Sequence, residues 1–186
     1  MDEKIKQFRD GIFALETRRF GAVGEHVVSL LYDMTPSGTL EYDLNHQGKR
    51  VECKFCRVLK RHPRQIRPDN IITEIMEARS DERLISYYDK QTDWSVNFAQ
   101  IKPDCFDELY FGVFFSDCVW ILHCTADDVR QIKGFSDKQH RGNKGEGQFG
   151  MRNQDLDEMI KRFNGDGYSY EMLHYLFTHT KLKDNN

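Results

Sequence analysis

The chain has 186 residues, 39% of them apolar and 31% charged. That is enough for one domain with a substantial core, and too apolar for a disordered chain. The formal net charge of −3 excludes a uniformly basic nucleic-acid binder, so any DNA contact must come from local basic segments or from a partner.

Ile5, Phe8, Ile12 and Leu15 recur at three- and four-residue spacing, which predicts a helix over residues 2–19. A second helix is predicted from about Gly21 to Met34, with Val23, Val27, Leu30 and Leu31 on one side. Gly21 and Gly24 weaken it intrinsically and let a neighbour approach its first turn closely. "TPSG" reads as a turn, followed by strands at roughly 39–45 and 49–59. A basic loop, "KRHPRQIRP", leads to a predicted helix over 70–92 that starts at an Asp69/Asn70 cap. "WSVNFAQIK", "ELYFGVFF" and "VWILHC" read as three further strands, and "TADDVRQI" opens a short helix at Thr125. Residues 135–150 hold four glycines and predict a flexible loop. Two closing helices are expected at 153–163 and 168–179, split by "NGDG". The expected fold class is therefore α/β, with a central mixed sheet. A single domain spans 1–186, with its core at about 20–125 and a helical part at about 126–186.

The stretch "EYDLNHQGKRVECKF" carries charge where a half-buried hairpin wants apolar residues. If Gln47 and Gly48 are the central turn residues, His46 faces Lys49, Asn45 faces Arg50, Leu44 faces Val51 and Asp43 faces Glu52. Glu52 and Lys54 then share one face, while Leu44, Val51, Cys53 and Phe55 form an apolar stripe on the other. Two carboxylates and an ammonium converge on a small patch. Hard oxygen ligands of this kind suit Mg²⁺, which polarises phosphate and helps generate hydroxide. Lys54 would orient the attacking water or steady developing negative charge. Charged alternation is also what any solvent-exposed strand shows. Glu25 offers a third carboxylate from the first turn of the second helix, although an acid there also suits the helix dipole. Lys60, Arg61, Arg64 and Arg67, with His62, form a local basic arm that reads as a DNA contact or as an ordinary solvated loop.

The run Glu25, Asp43, then Glu52-Cys53-Lys54 resembles the PD-(D/E)xK nuclease pattern, in the order helix, hairpin, helix, strand. The resemblance implies that Asp43, Glu52 and the Cys53 main-chain carbonyl bind Mg²⁺. It also implies that Lys54 assists attack and that Glu25 supports the metal. Tyr42 stands where the pattern has Pro. Length, the "GAVGEHVVSLLYDMTPSGTLEYD" opening and the lack of an added recognition domain are similar to the small subunit of heterodimeric type IIS restriction endonucleases. That implies a site-specific deoxyribonuclease subunit of a restriction-modification system, cutting one strand of double-stranded DNA beside a site read by a larger, nicking subunit. A self-sufficient homodimeric restriction enzyme and a non-catalytic interaction module are the alternatives.

Other motifs point elsewhere more weakly. Cys53 and Cys56 invite zinc, but a spacing of three in a strand sends the thiols to opposite faces. The five cysteines are an odd set and the opening "MDEKIKQFRD" is charged, so free thiols in a reducing cytoplasm are expected. No apolar run is long enough to span a bilayer as a helix. "GNKGEG" lacks P-loop spacing and reads as a loop that reaches DNA or a partner through Lys138, Arg141 and Lys144, or as a plain loop. Gln100 and Lys102 share a strand face and would line a cleft beside Lys54 or face solvent. The aromatic segment "YSYEMLHYLFTH" fits either a partner interface or packing on the domain.

Overall fold

The first helix stops early because another element takes its last carbonyls. In the computed structural model, which describes residues 1–62, 64–79, 82–138 and 144–180, α1 spans Glu3–Ala14 and is capped by Asp2, whose carboxylate accepts from Ile5 N at 2.8 Å. The Arg57 guanidinium donates to the Phe13 and Leu15 carbonyls at 2.6 and 2.7 Å, satisfying the orphan end of that helix. Glu16 then caps α2, Thr17–Leu31. The second helix therefore starts four residues before its predicted start, and the first ends five residues before its predicted end.

The remaining elements in chain order are β1 (Thr35–Pro36), β2 (Leu44–His46), β3 (Lys49–Arg57), β4 (Leu59–Lys60), α3 (Ile71–Glu77), β5 (Trp94–Ile101), β6 (Glu108–Phe114), β7 (Cys118–Thr125), α4 (Ala126–Arg130), β8 (Ser136–Lys138), β9 (Lys144–Arg152), α5 (Asn153–Arg162), β10 (Asp166–Ser169) and α6 (Tyr170–His179). The main sheet runs β1-β2-β3-β6-β7-β10. β3 and β6 are parallel and every other pair is antiparallel. A second, antiparallel sheet runs β4-β5-β9-β8. The parallel pair needs a crossover, and that crossover carries the first two strands of the second sheet.

The main sheet is covered on both faces. On one side, Phe20, Val27 and Val28 of α2 and Tyr170 and Leu173 of α6 pack with Val51, Cys53, Tyr110 and Phe114. On the other, Phe98, Phe149 and Met151 of the second sheet and Leu156 of α5 pack with Leu109, Phe111, Val113 and Leu122. The mixed α/β expectation holds. The helical reading of 126–186 does not, because β8 and β9 complete the second sheet and β10 edges the first. The 135–150 loop reading is corrected as far as residues 136–138 and 144–150, which are strand; residues 139–143, including Arg141, lie outside the described residues. The helix predicted over 70–92 shrinks to Ile71–Glu77. It buries no residue, so no packing extends it.

Tyr170 is fully buried and its hydroxyl donates to the Phe115 carbonyl at 2.5 Å, tying α6 to the end of β6. Tyr170→Phe leaves that carbonyl without its donor. It should cost about 1–2 kcal/mol, read as a lower midpoint in thermal denaturation with unchanged far-UV dichroism.

Candidate active site

The hairpin sets the site. Gln47 and Gly48 both have positive φ, 50° and 82°, the two-residue turn that matches strand twist. The register is as expected: His46 opposes Lys49, Asn45 opposes Arg50 and Leu44 opposes Val51. Arg50 anchors the hairpin from outside, donating from its main-chain N to Asp107 at 2.8 Å and from its guanidinium at 2.9 Å. That fork pulls the Asp107 carboxyl down to about 2.

β2 ends at Leu44, one residue before Asp43 would pair with Glu52. Asp43 N still donates to Val51 O at 3.0 Å. Its carboxylate turns into the sheet edge instead of standing across from Glu52, and Oδ2 accepts from Cys53 N at 2.8 Å. The side chain thus takes the ladder position that β2 has vacated. Within a strand the N–H and C=O of one residue point the same way, so the Cys53 carbonyl faces this open edge too. The Cys53 side chain packs beneath α2, while Cys56 Sγ donates to the Asn97 carbonyl at 3.3 Å on β5. The two thiols diverge, and all five cysteines are free.

Glu52 and Lys54 lie on the face toward the second sheet, in register with Leu109 and Phe111. They form an ion pair. Glu52 is only 8% exposed. Burial pushes its carboxyl up to about 7; the Lys54 charge opposes this, while Asp43 and Glu25 add to it. Lys54 is itself held in its charged form by Glu52, against its own burial.

Glu25 comes from α2, and a glycine lets it arrive. A Cβ on Gly24 would lie 2.1 Å from Phe55 Cδ2, so the helix backbone rests directly on that ring. Gly112 of β6 bounds the ring on its other side, at 2.3 Å by the same measure. Gly21 has open space and plays no such part. Glu25 is half-buried, and its carboxyl is raised by burial and then by Asp43, with Lys54 and His26 opposing. Among the described residues its carboxylate has no hydrogen bond or ion pair.

Glu25, Asp43, Glu52 and Lys54 are therefore one electrostatic group: three carboxylates and one ammonium, an excess of negative charge held partly away from water. Among the described residues no three His, Cys, Asp or Glu side chains stand in ligating geometry; Lys54 takes Glu52, and Cys53 N takes one oxygen of Asp43. The donor chemistry nevertheless fits a hard divalent cation, since every available atom is a carboxylate or carbonyl oxygen.

The basic arm is largely neutralised by acids remote in sequence. Arg61 pairs with Asp93 at 2.8 Å, His62 with Glu82 at 3.0 Å, and Arg64 with Glu74 and Glu77, each at 3.2 Å. Lys60 and Arg67 alone lack an acidic partner among the described residues. Lys102 pairs with Glu146 at 3.1 Å, and Gln100 is an exposed bulge residue with φ 57°. A polar group that the sequence did not flag surrounds Glu108, 6% exposed at the start of β6. It pairs with Lys49 and, at 3.3 Å, with His123, which stacks on Tyr110. An acid opening an otherwise apolar strand was its one visible sign.

No family model, curated protein or solved structure matches the chain.

Proposed function

We propose that the chain is a Mg²⁺-dependent DNA endonuclease subunit of the PD-(D/E)xK type. It hydrolyses one strand of duplex DNA beside a site read by a larger partner. The observation that carries this reading is the excess of carboxylate charge at the edge of β3: Asp43 turned into the edge, Glu52 at about 7, and an unpartnered Glu25. Asp43, Glu52 and the Cys53 carbonyl would hold the cation, with Glu25 in support. A Mg²⁺ ion held there would supply a Lewis acid at the scissile phosphate. Lys54 leaves Glu52 to steady the negative charge that develops as the phosphodiester is attacked.

Two observations support a partner. The chain's negative charge provides no general DNA affinity. Ile72, Ile75 and Met76 of α3 are 72%, 59% and 80% exposed, apolar surface of the kind that binding covers. No helix among the described residues is long and apolar enough to cross a membrane.

The test is supercoiled DNA with Mg²⁺, incubated with the chain alone and with the large subunit. Nicking of the second strand only in the mixture supports the reading, and cutting by the isolated chain supports a homodimeric enzyme. If mixtures carrying Glu52→Ala cut as wild type does, the nuclease centre is wrong and the hairpin charges are merely solvated.

A further inference from the structure

The open edge of β3 continues past Lys54 into a cleft of about 320 Å³, bordered by Thr17, Arg57, Arg83 and Asn97. Arg57 lies three residues beyond Lys54, roughly 10 Å along the strand. Its Nη1 is used by the Phe13 and Leu15 carbonyls, and its guanidinium lies 4.4 Å over the Phe20 ring. Neither Arg57 nor Arg83 has an acidic partner among the described residues. Arg9, Arg50, Arg61, Arg64 and Arg130, by contrast, each meet a carboxylate. Two cations sharing a cleft repel, and burial together with Arg83 holds the Arg57 guanidinium below its usual range. An anion between them removes that cost. Thr17 and Asn97 add a hydroxyl and an amide at the rim, both able to donate to phosphate oxygens.

We propose that Arg57 and Arg83 form a phosphate seat at the open edge of β3, holding the DNA backbone beside the bond cut at Lys54. The ligand's identity rests on the nuclease reading. The seat replaces the basic arm as the chain's own DNA contact, since acids already occupy most of that arm. A separation of roughly 10 Å along the strand keeps the seat within a few nucleotides of the scissile phosphate. One seat gives the isolated chain only weak affinity, measurable at low salt, which agrees with a subunit that relies on a partner.

Arg83 is the informative position, because it is exposed and has no other partner among the described residues, whereas Arg57 also caps α1. A short DNA duplex is titrated at low salt, without divalent metal, into the isolated ¹⁵N-labelled chain. Amide shifts should cluster at Thr17, Arg57, Arg83 and Asn97. Arg83→Ala should weaken binding about tenfold at 0.1 M salt and lower the salt slope by about 0.9, the worth of one phosphate contact. Arg83→Glu should abolish the cleft shifts, and a thermal melt of each variant should match wild type. Shifts elsewhere, no shifts at all, or wild-type binding by Arg83→Glu overturns the seat. The nuclease reading fails separately: a duplex seated in the cleft that the full complex never cuts leaves the seat standing as a phosphate site alone.

Discussion

Lys54→Ala should lower strand cutting by the full complex about 10²–10³-fold, the loss expected when one group that stabilises transition-state charge is removed. The loss has a second source, because Lys54 is also the charge that holds Glu52 down. Without it the Glu52 carboxyl rises further above its ordinary value and stays protonated at neutral pH. One substitution then removes both the ammonium and a metal-binding carboxylate. The fold should survive, since Glu52 takes up a proton instead of remaining a bare buried charge. A loss of about 1–2 kcal/mol, or roughly 2–8 °C in the melting midpoint, is expected. Following the Glu52 carboxyl carbon by NMR through a pH titration checks the coupling directly. Lys54→Arg keeps the charge but swaps a point ammonium for a planar fork, so it should restore the Glu52 titration better than it restores cutting. A Lys54→Ala complex with wild-type turnover removes Lys54 from the mechanism.

The same residue sets a pH dependence in the metal-free chain. Glu52 is raised, to about 7 when folded against an ordinary value of 4.5. Between those values the folded state holds more protons than the unfolded state, so stability falls as pH rises. The contribution is fully present below about 4.5 and is lost through about 7. Glu52→Gln should flatten that part of the stability profile. Mg²⁺ should raise the wild-type melting midpoint more at the alkaline end, where the carboxylate is available.

Local rules carried the hairpin, the strands β5, β6 and β7 and the helices α4, α5 and α6. The turn at Gln47-Gly48 and the alternation Val51, Glu52, Cys53, Lys54 are short-range features, so register and face followed from sequence alone. The early end of β2 did not follow, because it depends on the Asp43 side chain outcompeting a strand partner for Cys53 N. The second sheet was hidden by glycine: Gly145, Gly147 and Gly150 made β9 read as a loop. Gly147 is there because a Cβ would lie 2.5 Å from the Phe135 ring, and Phe149 and Met151 are the alternating core contacts that the glycines masked. The basic arm misled for the opposite reason. Its positive charges are contiguous in sequence, but Asp93, Glu74, Glu77 and Glu82, which neutralise them, arrive from elsewhere in the fold. Arg57 and Arg83 are 26 positions apart and gave no motif; only the fold, which lines one cleft with both, brings them together.

Gly24→Ala should uncouple Glu25 from the site. A glycine inside a helix costs about 1 kcal/mol relative to alanine, so at an unconstrained position this substitution would stabilise α2. Here the new methyl would sit 2.1 and 2.4 Å from Phe55 Cδ2 and Cγ. The ring has little room to retreat, because Gly112 closes on its far edge. α2 must lift off the sheet, at an overpacking cost of about 1–3 kcal/mol that offsets and outweighs the gain in propensity. Glu25 moves with the helix, away from Asp43 and toward water. Both causes that raise its carboxyl weaken, and its titration should fall back toward the ordinary range. The melting midpoint should drop and cutting by the complex should fall. Phe55→Leu supplies the control: by narrowing the wedge it should recover part of the Gly24→Ala loss, so that the double variant is more stable than the two single losses summed would predict. Additive losses would place the damage elsewhere in the helix. A Gly24→Ala chain with a raised midpoint and an unchanged Glu25 titration would mean that α2 does not rest on Phe55 as described, and Glu25 would lose its route to the metal.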